Sequence, residues 1–564
     1  MIQIYLRDSA VHSGCRIAYT EKKSIMDVLI EAGVYVSAIC GGNGTCGKCK
    51  IRLIKGDLPV TAADKKAFSQ EELDAGMRLS CVAYPTADVT ISLEQTGEED
   101  FMVLGDAGQK ASGIAGSAET LAEGIAREEA AGACYFAIDI GTTTLAISLV
   151  KENGAVVDTY TSVNHQRMYG ADVISRIQAS NDGHGPEMTA SIKKDLITGM
   201  LSLLKEYPKV SALTRVVIAG NTTMGHLLMG YDCESLGHVP FTPVNIDWID
   251  TDWESLFGEI LEAVGGEVSS ESADFKWNRE VLAQTPVIIL PGFTAFVGGD
   301  ITSGLLAMDF DKCEKPSLFI DLGTNGEMAI GNKDKILVAS TAAGPAFEAG
   351  NISCGMGSVA GAICSVDLSG MSGAGAAVGD DGVPEGAVFE TLGGKPAKGI
   401  CGTGVIEITA ELIKAELLDE TGLLDEDYFD DGFPMGITPE GEELFFEQSD
   451  VRQLQLAKAA VRGGVETLML RYGVNSDDID KVYLAGGFGV HLNVQKALTI
   501  GLLPEEMDGK IEAVGNTSLL GAISYGCQES GNERIDHILE CASEVDLSSD
   551  KAFQEFYVDA MFFE

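Results

Sequence analysis

Four of the thirteen cysteines are spaced as the ligands of a metal centre would be. Cys40, Cys46 and Cys49 lie in the segment CGGNGTCGKC, and Cys81 follows in MRLSCVAYP. Four thiolates are the ligand set of a [2Fe–2S] cluster, and two cysteines separated by two residues place their sulfurs on one loop. The glycines between them let the backbone curl around the centre and turn its N–H groups towards sulfur. The spacing therefore predicts one [2Fe–2S] cluster.

Zinc is the alternative metal, because it also binds four cysteines. A zinc ribbon more often pairs two C-x2-C units, whereas this segment contains one. Apolar periodicity around the loop predicts strands over 2–6, 16–20, 50–54 and 89–93, a helix over 24–32 and a helical stretch near 63–75. This order is an α+β pattern in the style of a β-grasp. Residues 1–97 resemble a ferredoxin of the plant or vertebrate type, and the five-residue gap between the first two cysteines is closer to the adrenodoxin-like pattern.

A second set of chemical residues follows two buried strands. The segments IDIGTTT (138–144) and IDLGTNGE (320–327) both end an apolar strand in Asp and continue with Gly and Thr. Asp139 and Asp321 are candidates to hold Mg²⁺ or to orient a water molecule. The tight turns that follow are candidates to face phosphates, through Thr142, Thr143, Gly323, Thr324 and Asn325.

A third segment is suited to a purine or a ribose. In VYLAGGFG (482–489), Gly486 and Gly487 let a flat ligand approach the backbone, with Phe488 beside them. Each of these turns alone is also an ordinary turn of an α/β protein. Together and in this order they resemble the nucleotide-binding set of the actin, sugar kinase and Hsp70 superfamily. That resemblance implies a duplicated RNase-H-like ATPase fold that clamps ATP. The chain has no G-x4-G-K-[ST] loop, so its motifs exclude a P-loop ATPase.

The elements that position these motifs indicate an α/β protein with an α+β N-terminal domain. Strands predicted over 135–140, 215–219, 286–290, 317–321 and 481–485 alternate with helical stretches such as 404–417 and 451–471. We predict a ferredoxin-like domain over 1–97, an Ala- and Gly-rich flexible linker over 98–132, a middle domain with the first phosphate turn over 133–208, and an ATPase-like domain over 209–564. The acidic stretches 419–431 and 439–450 are predicted to be solvated loops.

Composition restricts the partners. The formal charge of −46 repels phosphate backbones, which argues against nucleic-acid binding. The sequence contains no run of about 18 apolar residues, so membrane insertion is not expected. The first ten residues, MIQIYLRDSA, lack an apolar signal core, which favours a cytoplasmic protein.

Nearly the whole chain is similar to the reductive activators of corrinoid proteins. The matching segments are CGGNGTCGKCK, AIDIGTTTLA, NHQRMYGADVISRI (164–177), VVIAGNTTMGHLL, FIDLGTNGE, TAAGPAFEAGNISCGM (341–356), GICGTGV and VYLAGGFGVHLN. The resemblance implies that the chain takes an electron from a low-potential donor on its [2Fe–2S] cluster and returns inactive Co(II) of a corrinoid methyl carrier to Co(I). ATP and Mg²⁺ would drive this transfer, and a homodimer is also implied.

Four further residues lie in the matching segments. Glu348 and Cys401 stand in glycine-rich turns near the expected nucleotide, and His165 and His491 are candidates for partner contacts. A structural role is the simpler interpretation for each of them. Some members of the broader family carry two C-terminal [4Fe–4S] clusters. Here the tail has only Cys527 and Cys541, which cannot supply eight ligands.

Three other functions are compatible with parts of this pattern. One is an ATP-driven, electron-donating activator of another anaerobic enzyme of the dehydratase type, although such activators hold a [4Fe–4S] cluster between subunits. A second is a nucleotide-binding redox sensor that does not deliver electrons. A third is a small-molecule kinase fused to a ferredoxin, for which the sequence shows no substrate motif.

Overall fold

The computed structural model describes residues 2–7, 16–19, 23–31, 44, 47, 49–93, 132–260, 277, 279–439, 441–486 and 492–563. The predicted linker lies outside these residues, except for Gly132 at its end. So do Cys40, Cys46, Gly487, Phe488 and His491.

The N-terminal domain is a mixed five-stranded sheet with the strand order β2-β1-β5-β3-β4. Its strands are β1 (Ile2–Arg7), β2 (Arg16–Tyr19), β3 (Lys50–Lys55), β4 (Met77–Leu79) and β5 (Val89–Leu93), and its helices are Ile25–Glu31, Asp64–Ala67 and Gln70–Asp74. The helical stretch predicted near 63–75 is thus two short helices, because Ser69 starts a new one with a capping box to Glu72. The predicted strands and the first helix are confirmed.

The next sheet has six strands in the order β10-β11-β9-β6-β7-β8. It consists of β6 (Gly132–Ile140), β7 (Thr144–Lys151), β8 (Val156–Val163), β9 (Val210–Gly220), β10 (Ile249–Asp252) and β11 (Pro286–Ile289), with helices Val173–Ala179, Gly185–Glu206, Thr222–Met229, 253–260 and Arg279–Leu282. Because β9 pairs with β6, this sheet draws strands from both sides of the predicted domain boundary at 208. That boundary stays a prediction.

A second six-stranded sheet has the order β21-β20-β12-β13-β14-β22. Its strands are β12 (Ser317–Leu322), β13 (Gly326–Asn332), β14 (Lys335–Thr341), β20 (Val482–Ala485), β21 (Ile511–Gly515) and β22 (Ala542–Glu544). Two small sheets contain β15 (Ala362–Asp367), β16 (Val388–Thr391) and β17 (Gly399–Ile400), and β18 (Phe433–Ile437) and β19 (Glu443–Phe446). The helices are Gly299–Ala307, Gly402–Lys414, Gln448–Tyr472, Val494–Thr499, Thr517–Cys527, Gly531–Cys541 and Lys551–Asp559.

The two large sheets repeat one topology. In each, a first strand (β6 or β12) is followed by two antiparallel neighbours on one side and by two parallel strands on the other. Asp139 pairs in register with Ala219 of the parallel neighbour, and Asp321 pairs in the same way with Ala485. The duplication that the two Asp-Gly-Thr turns predicted is therefore present, and both turns leave equivalent strand ends.

Two helices join the halves that these sheets define. Gly299–Ala307 follows β11 in the first half, and Thr517–Cys527 follows β21 in the second. A Cβ at Gly521 would lie 1.9 Å from the backbone oxygen of Ser303, so only glycine permits this close approach. The Ser303 hydroxyl also donates to the backbone oxygen of Ser518 at 2.7 Å. The helices hold the two phosphate-type turns at a common cleft.

One predicted loop is wrong. Residues 439–450 include β19 and the start of the long helix Gln448–Tyr472. Leu444 and Phe446 are buried while the acidic residue Glu443 is exposed, so a short strand is hidden within an acidic stretch. Asp450 is also buried, and its carboxylate accepts a hydrogen bond from the Ser353 hydroxyl.

As for membrane spans, none of the helices within the described ranges is both long and apolar enough to cross a bilayer.

Candidate functional site

Two of the four predicted cluster cysteines come together in the N-terminal domain. Cys49 precedes β3 and Cys81 follows β4, and these strands pair antiparallel. The backbone N–H of Ser80 donates to the carbonyl of Cys49 at 2.9 Å, which aligns the two cysteines. Their Sγ atoms lie 3.2 Å apart, and both side chains are buried. Sulfurs this close can bind a single iron.

The surroundings of this pair fit an iron–sulfur group. Gly44 and Gly47 both have positive φ, and a Cβ at Gly44 would lie 2.9 Å from Val82 Cγ1. The buried Ser80 hydroxyl has no other hydrogen-bond partner among the described residues and helps to lower the pKa of Cys49, so a donor is available beside the sulfurs. The neighbouring Cys81 thiol lowers the pKa of Cys49 to about 6, despite burial. A thiol that readily becomes a thiolate is what a metal requires.

The first phosphate-type turn follows β6. The Gly141 N–H donates to Thr144 O at 3.1 Å and closes the turn. Asn221, which caps the helix Thr222–Met229, donates to the Thr142 hydroxyl at 3.0 Å. Within the described residues, the backbone N–H groups of Thr142 and Thr143 have no acceptor. Unpaired N–H groups on a tight turn form a site for an anion.

The second turn repeats this arrangement after β12. The Gly323 N–H donates to Asn325 O at 3.0 Å, and the Thr324 carbonyl accepts from the Gly344 N–H at 2.9 Å. The N–H of Asn325 likewise finds no acceptor in the part of the chain that is described, whereas the backbone N–H of Thr324 faces the Glu348 carboxylate and helps to lower its pKa. Both halves thus present backbone N–H groups at equivalent positions of the turn.

Asp139 is held by the opposite half of the fold. The Asn516 side chain donates to its Oδ2 at 2.8 Å, and the Ser518 hydroxyl donates to its Oδ1 at 2.7 Å. Burial raises the pKa of Asp139, and these two donors lower it. Both oxygens therefore have a partner, and the carboxylate links the first strand of one half to the helix Thr517–Cys527 of the other.

Three other carboxylates, those of Asp300, Asp321 and Glu327, share the cleft. No basic side chain of the described residues pairs with any of them. Asp300 stands two residues after the N-cap of its helix, which is the position that Ser518 occupies in the other half. Burial raises the pKa of Asp321 to about 8, and the charges of Asp300 and Asp139 add to the rise. Burial likewise raises the pKa of Asp300 to about 7, and that of Glu327 well above its usual value. Carboxylates in this state attract a proton or a cation.

Glu348 lies at the second turn. Its Oε2 accepts from the Thr324 hydroxyl at 3.1 Å. The side chain is open to the cleft, yet the protein atoms around it raise its pKa, while Thr324 and the charge of Arg167 lower it. Arg167 belongs to the first half, in the turn His165–Met168. Glu348 is thus close to the phosphate-type turn of its own half and acts electrostatically across the cleft.

Gly486 connects the predicted adenosine loop to the second turn. Its φ is +95°, and its N–H donates to Gly515 O at 2.9 Å. A Cβ at this position would lie 2.6 Å from Leu322 O and 2.9 Å from Asp321 Oδ1. The loop therefore begins in direct contact with the strand that carries Asp321. Gly487 and Phe488 lie outside the described residues.

The other candidate residues have local partners. The His165 Nδ1 lies 2.8 Å from Asp195 Oδ1, which ties the histidine to the helix Gly185–Glu206. Cys401 is buried at the N-cap of the helix Gly402–Lys414, and its Sγ lies 3.2 Å from Ile363 O. These contacts agree with structural roles.

Sequence reasoning missed Asp300, Asn516 and Ser518 as parts of the cleft. A signal was present in the segment GNTS at 515–518, which resembles GNTT at 220–223. In both segments the asparagine caps a helix directly after a parallel strand. Asp300 had a weaker signal, because it follows the Gly-Gly pair at 298–299 that opens a helix.

Three models of known protein families match regions of the chain. A family model described as the C-terminal domain of RACo, the ASKHA domain, matches residues 315–564. The model of the RACo middle region matches residues 134–264, and the model of the 2Fe-2S iron-sulfur cluster binding domain matches residues 12–86. The phosphate-type turns of the two halves fall in the first two of these matches, and the paired cysteines fall in the third.

Individual relatives match the chain over different lengths. The chain is 26% identical to the corrinoid activation enzyme RamQ of Eubacterium limosum, over 96% of each chain. It is 30% identical to a [Co(II) methylated amine-specific corrinoid protein] reductase of Methanosarcina barkeri, over 50% of this chain and 52% of that one. A solved structure of a reductive activator for corrinoid,iron-sulfur protein is 27% identical with a TM-score of 0.63, covering 100% of this chain and 98% of the other.

Fold and site together define a class of protein in which a [2Fe–2S] domain is joined to an ATP-binding ASKHA domain. Within that class, the chain is homologous to the RACo-type reductive activators of corrinoid proteins, whose middle-region and C-terminal models both match it.

Proposed function

We propose that this protein is a cytoplasmic, ATP-dependent reductive activator of a corrinoid protein. The chain accepts one electron from a low-potential donor and delivers it to the cobalt of the partner, so that Co(II) becomes Co(I) and the reduced cluster returns to its oxidised state. The observation that carries the proposal is the presence, on one chain, of a buried cysteine pair suited to iron and a cleft with two facing phosphate-type turns. The names of the full-length relatives support it.

The cluster would be held by Cys40, Cys46, Cys49 and Cys81, and it supplies a one-electron carrier. Contacts among the described residues support this assignment. The antiparallel pair β3–β4 sets Cys49 and Cys81 side by side, and burial of both side chains keeps water from their sulfurs. The buried hydroxyl of Ser80, which helps to lower the pKa of Cys49, is a donor that stabilises added negative charge on sulfur.

ATP would bind in the cleft, with its phosphates between the two turns. The N–H groups of Thr142 and Thr143 on one side and of Thr324 and Asn325 on the other are its donors, assisted by Gly323. We assign Gly486, Gly487 and Phe488 to the adenosine. Binding both turns at once draws the halves together, because each turn belongs to a different sheet.

Mg²⁺ would lie near Asp321 and Asp300, and a nucleophilic water near these carboxylates. Asp139 was the other candidate for this role, but both of its oxygens already accept hydrogen bonds. We therefore assign Asp139 to positioning the cleft and its water, and Asp321 to the cation. Among the described residues no three His, Cys, Asp or Glu side chains form a complete metal cage. This agrees with Mg²⁺, which takes one or two carboxylates and completes its shell with water and phosphate.

The need for ATP follows from the direction of the electron transfer. Transfer between well-matched carriers requires no nucleotide, whereas a reduction to Co(I) requires a very low potential. Closing the cleft around ATP supplies binding energy that the chain can use to change how it holds its partner. We propose that this closure, and not a new redox group, makes the transfer possible.

The experiment is an anaerobic reduction assay. The cluster-loaded protein is mixed with a Co(II) corrinoid protein and a low-potential reductant, and the visible spectrum is followed with and without Mg-ATP. We expect the Co(I) band to grow only when the activator and Mg-ATP are both present. Cys49→Ser and Asp321→Ala should each abolish it, whereas Cys541→Ser, at a half-buried cysteine outside both sites, should not. If the cluster is reduced but cobalt stays Co(II) with every corrinoid protein of the host, the corrinoid function is refuted.

A further inference from the structure

Arg176 is a buried cation next to the first phosphate-type turn. Its helix, Val173–Ala179, lies in the first half, and its side chain has 0% exposure. The guanidinium donates through Nε to Gly170 O at 2.9 Å, through one terminal nitrogen to Met224 Sδ at 3.2 Å, and through the other to the carbonyl of Thr142. All three acceptors are uncharged.

The positive charge of Arg176 has no close carboxylate. No Asp or Glu oxygen of the described residues lies within ion-pair distance of its nitrogens. Asp172 is a neighbour on the same helix, but its Oδ1 accepts from the Ser175 N–H at 2.7 Å and caps the helix. Burial lowers the pKa of Arg176 to about 9 and the charge of Arg167 lowers it further, while the charge of Asp172 raises it. A buried cation without a directly paired counter-ion is costly, and a bound anion would offset that cost.

The two phosphate-type turns differ in the group that donates to one equivalent carbonyl. The carbonyl of Thr324 in the second turn accepts from a neutral donor, the backbone N–H of Gly344. The equivalent carbonyl of Thr142 in the first turn accepts from the charged guanidinium of Arg176. The first turn therefore lies in a more positive potential than the second, in a chain whose formal charge is −46.

Planarity of the peptide bond transmits this contact to the ligand side of the turn. The C=O of Thr142 and the N–H of Thr143 belong to one trans peptide unit and point in opposite directions. A guanidinium that holds the carbonyl therefore directs the Thr143 N–H away from itself, and that N–H has no acceptor within the described chain. Rotation of this peptide would cost a charge-assisted hydrogen bond.

We propose that Arg176 is a positioning residue that makes the first turn selective for a polyphosphate: it orients the Thr143 N–H towards the cleft and supplies the positive charge that the phosphates neutralise. The inference rests on the proposed ATP site and adds to it the residue that distinguishes a nucleoside triphosphate from a nucleoside. Arg176 lies in the segment NHQRMYGADVISRI (164–177), so the inference gives this segment a role in the nucleotide site.

The test compares two ligands that differ only in their phosphates. Dissociation constants of the full-length, cluster-loaded protein are measured by calorimetry for Mg-ATP and for adenosine, and their ratio is the readout. Arg176→Gln should reduce the preference for ATP about tenfold, the scale of one hydrogen bond to a charged group. Arg176→Lys keeps the charge but loses the planar guanidinium that donates in several directions, and it should reduce the preference for ATP about threefold. Adenosine affinity should stay unchanged in both, which a general loss of structure would not produce.

Arg215→Gln is the matched control. Arg215 is a half-buried arginine of the same half, but it pairs with Glu152 at 2.6 Å and lies away from the turn, so its variant should keep the wild-type ratio. A wild-type ratio in folded Arg176→Gln overturns the inference while leaving the ATP site intact. If Arg176→Gln does not fold, a wild-type ratio in Arg176→Lys overturns it. A wild-type protein that binds neither ligand refutes the ATP site itself, and the inference falls with it.

Discussion

Replacing Asp300 by Asn should stabilise the folded chain and, at the same time, impair its ATPase activity. Asp300 faces the cleft near Asp139 and Asp321, and no basic side chain of the described residues pairs with it. Its Oδ1 accepts from the Ile301 N–H at 2.9 Å, a bond that the oxygen of Asn can also accept. The substitution therefore removes a poorly solvated charge and keeps the local hydrogen bond.

The size and sign of the effect follow from the pKa of Asp300. Burial raises this pKa from 3.8 to about 7. Because the unfolded chain loses its proton first, stability falls as the pH rises between these two values and stays low above them. One pKa unit corresponds to about 1.4 kcal/mol, so the upper bound is about 4 kcal/mol. Solvent in the cleft screens part of this, which leaves about 1–2 kcal/mol.

The assay is thermal unfolding followed by circular dichroism at pH 5.5 and pH 8.5. We follow the transition that Mg-ATP shifts, because the domains need not unfold together. At pH 8.5, Asp300→Asn should unfold about 2–4 °C higher than the wild type for each kcal/mol gained. The difference should be smaller at pH 5.5, and Mg-ATP should reduce it, because the cation stabilises only the wild-type cluster of carboxylates.

The matched control is the same Asp-to-Asn substitution at Asp311, a carboxylate that is paired with an arginine. Asp311 accepts from the Arg534 Nε at 2.7 Å, so Asp311→Asn should lower the melting temperature. The reasoning is refuted if Asp300→Asn is less stable than the wild type at both pH values. It is also refuted if the stability difference does not grow with pH.

Three further predictions concern other parts of the molecule. Ser80→Ala should lower the midpoint potential of the cluster in an EPR-monitored redox titration, because the Ser80 hydroxyl no longer stabilises negative charge on sulfur in the reduced state; an unchanged potential would show that the hydroxyl makes no such contact. Gly521→Ala should cost about 1–3 kcal/mol or more in chemical unfolding, since its Cβ would meet a backbone oxygen at 1.9 Å, and a neutral substitution would contradict the close helix contact. Ser518→Ala should cost about 1–3 kcal/mol by leaving Asp139 Oδ1 without its donor. The adjacent Thr517→Val should be neutral or stabilising in the same assay, because the Thr517 hydroxyl has no partner among the described residues; equal losses in both variants would refute the role of the donor.

Local patterns predicted most of the fold. The strands that begin each half, Gly132–Ile140 and Ser317–Leu322, are continuous apolar runs followed by Asp and Gly, and both were found close to their predicted bounds. Cys49 and Cys81, two of the four predicted cluster ligands, lie with their Sγ atoms 3.2 Å apart. Such features depend on residues that are close in sequence, so periodicity and spacing suffice to find them.

Other features depend on tertiary contacts that no local pattern encodes. Asn516 and Ser518 are separated from Asp139 by 377 and 379 residues, and only the packing of the two halves brings them together. The strand Glu443–Phe446 was missed because its inward residues, Leu444 and Phe446, are few and stand among acidic residues. In both cases burial against a distant partner overrides the local preference.

The central claim is that ATP gates a single electron from this chain to cobalt. The most direct measurement is a single-turnover reaction: the cluster is reduced, excess reductant is removed, and the protein is mixed with a Co(II) corrinoid protein in a stopped-flow spectrophotometer with or without Mg-ATP. We predict that, only with Mg-ATP, one Co(I) forms for each cluster that is reoxidised, at the same rate. The account is contradicted if the cluster is reoxidised as fast without Mg-ATP as with it. It is also contradicted if the cluster is reoxidised in the presence of Mg-ATP but no Co(I) forms.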